Sequence, residues 1–128
     1  MNIEALRSLG SDELDAYAEM SGFDLEGAET AAAKAERIEE LRNRTKAMRL
    51  LGVDVRISYK AVNDKRVSDL LGSSRTDAET EEAMRLMLGE RQFDAVVQAA
   101  TDEDGTVDVV ALGYAFVKML YSDELKNF

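Results

Sequence analysis

The chain has 128 residues, of which 45% are apolar, and a formal net charge of −10. This length suits one compact domain, or one domain with a small additional module, and the apolar fraction is enough for a buried core. Neither cysteine nor histidine occurs, which excludes disulfides, thiolate zinc sites, thiol nucleophiles and the commonest general base.

The charge is distributed unevenly along the chain. Residues 1–30 have a balance of −7, residues 31–75 a balance of +5, and residues 76–128 a balance of −8. A chain that is acidic overall is repelled by phosphate backbones, so nucleic-acid binding is not expected. The basic residues of the segment 31–75 either form ion pairs with the acidic ends of the chain or bind an anionic partner. We favour the first of these. No apolar run of 18 residues and no signal peptide occur, so we expect a soluble cytoplasmic protein without a membrane partner.

The first forty residues predict three helices, because proline is absent and apolar residues recur at helical spacing. The first is predicted over residues 3–9 and ends at Gly10. Ser11 is predicted to N-cap the second, which ends at Gly22. A loop follows, and Thr30 is predicted to cap the third. The buried side of the second helix is assigned to four residues, Leu14, Tyr17, Ala18 and Met20.

Near residue 50 the spacing of apolar residues changes from the three or four residues typical of a helix to every second residue. Val53, Val55 and Ile57 alternate with polar residues, which indicates a half-buried strand. Met48 and Leu50 alternate in the same way before a glycine, which predicts a hairpin over residues 46–59. The alternative is that the third helix continues to residue 51.

Helical patterns return after the hairpin. The segment "NDKRVSDLLG" predicts a helix that ends at Gly72, and Thr76 with Glu79 forms a predicted capping box for the next. Gly89 interrupts that helix, and "ERQFDAVVQAA" continues as another. The final long helix is predicted from residue 109, with a last turn after Ser122. The sequence therefore predicts a mainly α fold with one small β-hairpin, a helical bundle preceded by a small module.

The stretch "TDEDGTVDVVAL" resembles part of a calcium loop, but its spacing argues against one. With Gly105 at position 6, the ligand positions 1 and 12 fall on Ala100 and Ala111, so both anchoring carboxylates are missing. A turn at Gly105 followed by a helix N-cap at Asp108 is the better interpretation.

No motif in the sequence indicates catalysis. The segment "LGSSR" lacks the spacing of a phosphate-binding loop, and a serine nucleophile would have no histidine as its base. The many carboxylates make chance pairs unavoidable. We therefore expect neither enzyme activity nor a cofactor or metal ion.

Four phrases in residues 46–122 resemble the tail assembly chaperones of long-tailed bacteriophages (siphophages), chiefly those that infect Gram-positive hosts. They are "MRLLGVDVRI", "NDKRVSDLLG", "MRLMLGERQFDAVVQA" and "DEDGTVDVVALGYAFVKML". The most characteristic parts are "LGE-x-Q-[FY]" and "DEDG-x-VDV-x-ALG". The sequence is thus divided into residues 1–45 and a tail-chaperone-like domain over residues 46–128.

The first 45 residues resemble a different class, the helix–extended loop–helix modules related to SAP and LEM domains, with "GFDLEGAET" as the connecting loop. Such modules often bind DNA through basic residues. Here the module starts with an acidic stretch, and its basic residues come late, at Lys34, Arg37, Arg42 and Arg44. A small DNA- or nucleoprotein-binding adaptor is the alternative function. For this module itself we favour a protein contact or a purely structural role.

The resemblance to tail assembly chaperones implies a non-enzymatic protein that binds the tape measure protein and keeps it soluble until tail tube subunits polymerise around it. The tape measure protein, and secondarily the tail tube protein, are thus the expected partners; an oligomer is also compatible. The family acts in the bacterial cytoplasm and is absent from the finished virion. The predicted partner-binding groove contains Leu70, Leu71, Met84, Met87, Phe93, Phe116, Met119 and Leu120. Their apolar periodicity fits a buried core equally well.

Overall fold

The computed structural model describes residues 1–122 and divides into two compact units, Met1–Arg44 and a second that begins at Thr45. The predicted fold class is confirmed, because helices dominate and the two strands form one antiparallel hairpin. The helices are α1 Ile3–Ser8, α2 Ser11–Ser21, α3 Ala31–Arg42, α4 Tyr59–Val62, α5 Lys65–Leu70, α6 Asp77–Leu88, α7 Glu90–Ala99 and α8 Val109–Leu120. The strands are β1 Thr45–Leu50 and β2 Val53–Ser58.

The first unit packs α1, α2 and α3 around a small core of its own. Leu6, Leu14 and Ile38, one from each helix, are completely buried there. Helices α1 and α3 begin where the sequence supplies a side-chain acceptor for a free amide. Thr30 Oγ1 accepts from the amide of Ala33 at 3.1 Å, which confirms the predicted cap of α3.

Two details of α2 differ from the prediction. Its N-cap is Gly10 rather than Ser11, and the carboxylate of Glu13 accepts a hydrogen bond from the Gly10 amide at 3.2 Å. A glutamate at the third helical position can reach back to the N-cap amide in this way. Gly10 itself has no side chain to accept from the amides of the first turn. Met20 is 91% exposed and does not belong to the buried side. Two residues that are two positions apart in a helix lie on nearly opposite faces, so Met20 points away from the face of Leu14 and Ala18, which are buried.

The hairpin starts the second unit and confirms the predicted change of period. β1 pairs with β2 in a register that joins Leu50 to Val53 and Met48 to Val55. The two turn residues, Leu51 and Gly52, have φ angles of 51° and 80°, and positive values at both positions are what a type I′ turn requires. The alternative of a third helix continuing to residue 51 is wrong, since α3 ends at Arg42.

Helices α5 to α8 pack with the hairpin around the larger core. Every second side chain of the two strands points into this core, and Leu50, Val55 and Ile57 are almost completely buried there. The predicted capping box of α6 is present, because Thr76 Oγ1 accepts from the Glu79 amide at 3.2 Å and Glu79 accepts from the Thr76 amide at 3.0 Å. The interruption at Gly89 is a backbone with φ of 78°, which separates α6 from α7.

The predicted last turn after Ser122 lies outside the described residues. Within residues 1–122, every helix is too short or too polar to span a bilayer.

Candidate partner-binding surface

The structure places the eight residues of the predicted groove in or against the core of the second unit. Five of them are buried, and the other three are partly buried and pack against the same core. The buried residues are Met84, Met87, Phe93, Phe116 and Met119, and the partly buried ones are Leu70, Leu71 and Leu120. These side chains therefore do not together form an exposed groove in this structure. Their contact with a partner stays a prediction.

The exposed apolar surface lies instead on the opposite side of α8. Four residues are exposed there, with Val110 at 78%, Tyr114 at 60%, Val117 at 50% and Tyr121 at 68%. Their spacings of four, three and four residues place them on one face of a helix. We call these four residues the α8 stripe. Ala115, Phe116 and Met119 occupy the other face and are buried.

Helix α8 is thus apolar on two opposite faces. Its sequence, "VVALGYAFVKML", has a single charged residue, Lys118. The ammonium of Lys118 donates to the carbonyl oxygen of Arg49 at 2.6 Å and so reaches toward the hairpin. A helix that is apolar all round is normally buried on all sides. An exposed apolar patch of this kind is typical of a protein-interaction site.

An open cavity of about 270 Å³ adjoins the stripe, between α6 and the first turns of α8. Met84 and Phe93, two residues of the predicted groove, contribute to its lining. Val109 and Leu112 line it from α8. Pockets that bind a partner's side chain are usually concave and mostly apolar, with a few polar groups at the edge. The stripe and the cavity together therefore form the candidate partner-binding surface.

The turn before α8 holds this helix by local hydrogen bonds. Asp108 Oδ1 accepts from the amides of Val110 and Ala111, both at 3.0 Å, which confirms the predicted N-cap. Asp104 Oδ1 accepts from the amide of Thr106 at 2.9 Å, and this hydrogen bond lowers the pKa of the Asp104 carboxyl. These carboxylates stabilise the turn, and no group of three or more potential metal ligands occurs within residues 1–122.

The phrase "LGERQF" has a structural role that the sequence did not reveal. The Gln92 side chain accepts from the Arg56 amide at 2.7 Å and donates to the Arg56 carbonyl at 2.8 Å. It also donates to the carbonyl of Leu88 at 2.7 Å. At Arg56, Gln92 thereby makes the two backbone hydrogen bonds that a third strand would make with the open edge of β2. These hydrogen bonds join α7 to the hairpin.

Replacing Gln92 by leucine is expected to lower the free energy of unfolding of the second unit by about 1–3 kcal/mol, because the backbone groups of Arg56 lose their partners. Urea titration with far-UV circular dichroism measures this loss. Gln98→Leu is the matched control, since Gln98 is exposed on the same helix. Equal losses in the two variants would show that the hydrogen bonds of Gln92 contribute nothing.

The basic residues that could have suited the first unit for DNA are largely engaged within it. Lys34 Nζ lies 2.9 Å from Asp15 and 2.7 Å from Ser11 Oγ. Arg37 donates to the carbonyls of Asp24 and Glu26, at 3.4 and 3.3 Å. Arg42 similarly donates to the carbonyl of Met1 at 2.8 Å. These contacts hold the loop and the N-terminus against α3.

No protein-family model, curated protein or solved structure matches this chain. The α8 stripe was not predicted from the sequence, although a signal for it is present there. From Val109 to Tyr121 only Lys118 is charged, so the apolar residues exceed what one buried face of an amphipathic helix requires. Counting apolar residues on both faces of α8 would have indicated two contact surfaces.

Proposed function

We propose that this chain is a tail assembly chaperone of a bacteriophage or prophage, a non-enzymatic protein that binds the tape measure protein. The observation that carries the proposal is the α8 stripe, which leaves an apolar helix face without a partner within the described residues. The resemblance of "LGERQF" and "DEDGTVDVVALG" to that family supplies the identity of the partner.

The physical basis of the proposal is that the apolar face of a tape measure helix contacts the α8 stripe instead of another tape measure chain. A tape measure protein is a long chain of amphipathic helices, and the apolar face of each helix aggregates when it has no cover. A helix with an exposed apolar stripe beside a cavity offers the geometry by which amphipathic helices dock in grooves. The net charge of −10 would keep the resulting complex dispersed.

The stripe is a modest surface, which suits a chaperone that must release its partner. Four side chains and one cavity are a small contact compared with the large apolar interfaces of permanent complexes. Tail tube subunits would displace the chaperone as they polymerise around the tape measure protein. We therefore propose action in the cytoplasm of the bacterial host and absence from the mature virion, with the tail tube protein as a second candidate partner.

The test is co-expression with the longest coiled-coil-rich protein encoded nearby, followed by affinity purification through a tag on this chain. Retention of that protein in the supernatant and its co-purification are the expected results. An insoluble partner with nothing retained on the resin would contradict the proposal. Strong, salt-sensitive retention of the chain on duplex DNA would instead support the adaptor hypothesis.

A further inference from the structure

The cavity beside α8 has charged residues at its rim. Asp77 and Glu81 are its charged lining residues within the described part of the chain, and both are acidic. They lie four residues apart on α6, so their carboxylates lie on one side of this helix. Both are exposed, and neither has an ion-pair partner among residues 1–122. The lining thus combines an apolar interior with two carboxylates. The guanidiniums of Arg85 and Arg75 lie nearby, 4.7 Å and 5.5 Å from the ring centroids of Phe93 and Phe116.

We infer that this cavity binds one large apolar side chain of a partner helix, and that Asp77 and Glu81 pair with a lysine or arginine about one turn away on that helix. The inference rests on the proposed function and specifies which segments of the partner are held. They are amphipathic helices in which a residue such as phenylalanine or leucine stands three or four positions from a basic residue.

The size and lining of the cavity suit such an anchor. An apolar cavity of about 150 Å³ is already enough for benzene, and this one has about 270 Å³. Met84 and Phe93 contribute large apolar side chains to it, and Val109 and Leu112 add to its apolar wall. Anchoring residues that dominate binding are usually found in pockets of this kind, at the centre of an apolar contact.

Charge favours a basic partner over a second copy of this chain. Residues 76–128, which include α6 and α8, have a balance of −8, and the whole chain has −10. A dimer through the same surface would bring two negative rims together, whereas a helix with basic flanks would meet complementary charge. The carboxylates would then select among amphipathic helices of similar apolar content.

A substitution at Gly113 can fill the cavity without disturbing the fold. It lines the cavity, and a Cβ atom built on it meets no atom within 4 Å. Its φ angle is not in the left-handed region, so other residues fit this helical position. Gly113→Leu is expected to fill the cavity, and Gly113→Ala adds only a methyl group. Both remove a helix-interior glycine, which is expected to raise Tm by about 3–6 °C.

The experiment measures binding of synthetic amphipathic peptides of about 20 residues to the full chain by fluorescence anisotropy. One peptide has a phenylalanine with a lysine four positions later. The second has glutamate in place of that lysine, and the third has alanine in place of the phenylalanine. We expect the first to bind at least about tenfold more tightly than either of the others, since a buried anchor and a charge pair each contribute on this scale.

Variants of the chain locate this preference. Gly113→Leu is expected to weaken binding of the first peptide at least about tenfold while the Tm of the protein rises. Gly113→Ala removes the same helix-interior glycine but adds only a methyl group, and it is expected to weaken binding less than Gly113→Leu does. The Glu81→Gln and Asp77→Asn pair of substitutions is expected to abolish the preference for lysine over glutamate. The double substitution Asp77→Lys with Glu81→Lys is expected to reverse it, as an ion pair across this rim requires.

Several results would overturn the inference. They are equal affinities for the lysine and glutamate peptides, undiminished binding by Gly113→Leu, or no peptide bound below about 1 mM. A dimer in sedimentation that Gly113→Leu dissociates would assign the cavity to a second copy and would also overturn it. If the co-expressed partner is captured equally by the wild-type chain and Gly113→Leu, the proposed function stands and this inference fails. If the peptides discriminate but the co-expressed protein stays insoluble, the site stands and the proposed partner is wrong.

Discussion

Replacing Phe116 by alanine is expected to lower the free energy of unfolding of the second unit by about 3–5 kcal/mol, the usual cost of emptying an aromatic site in a core. Phe116 is 2% exposed and belongs to the cluster that includes the hairpin side chains. The guanidinium of Arg75 also lies over its ring, 5.5 Å from the centroid. The alanine variant loses this contact as well, although an exposed cation contributes little.

Tyr114→Ala is the matched control, because it removes an aromatic ring from the same helix. Tyr114 is 60% exposed, so its loss is expected to change the free energy of unfolding by less than about 0.5 kcal/mol. Native-state hydrogen exchange at the amides of β2 measures both variants in the second unit alone. Similar losses at the two positions would contradict the assignment of one face of α8 to the core and the other to solvent.

The double substitution Tyr114→Ser with Val117→Ser is expected to weaken capture of the co-expressed partner at least about 100-fold. Two central apolar contacts of the α8 stripe are removed, and contacts of this kind contribute on the order of 2 kcal/mol each. Serine leaves the net charge unchanged and has a helix propensity similar to that of tyrosine and valine. Since both side chains are at least half exposed, the stability of the fold should remain nearly unchanged.

Met20→Ser is the control for the loss of exposed apolar surface in general. Met20 is 91% exposed and lies in the first unit, away from the stripe in the sequence. We expect this variant to capture the partner as the wild-type chain does, in a quantitative pull-down at equal concentrations. If the double variant and Met20→Ser retain the same amount of partner, the stripe is not the docking surface.

Local signals in the sequence were sufficient for most of the fold. The alternation through Val53, Val55 and Ile57 predicted a half-buried strand, and the strand lies where it was predicted. The caps at Thr30, Thr76 and Asp108 were predicted because a short side-chain acceptor can reach the free amides of a first turn. These features depend on residues that are close in sequence, so no knowledge of the tertiary structure was needed.

The site could not be predicted in the same way, because it depends on which face of α8 meets the hairpin. Periodicity shows that Phe116 and Met119 share a face, but it does not show whether that face is buried. Val110 and Tyr114 form an equally regular series on the other side. The role of Gln92 is also non-local, since its partner Arg56 is 36 residues away in the sequence.

The separation of the chain into two units with separate cores has a thermodynamic consequence. Leu6, Leu14 and Ile38 belong to one cluster, and Val55 and Phe116 to another. A chain with two cores can unfold in two steps instead of one, and a calorimetric enthalpy larger than the van't Hoff enthalpy is the sign of two steps.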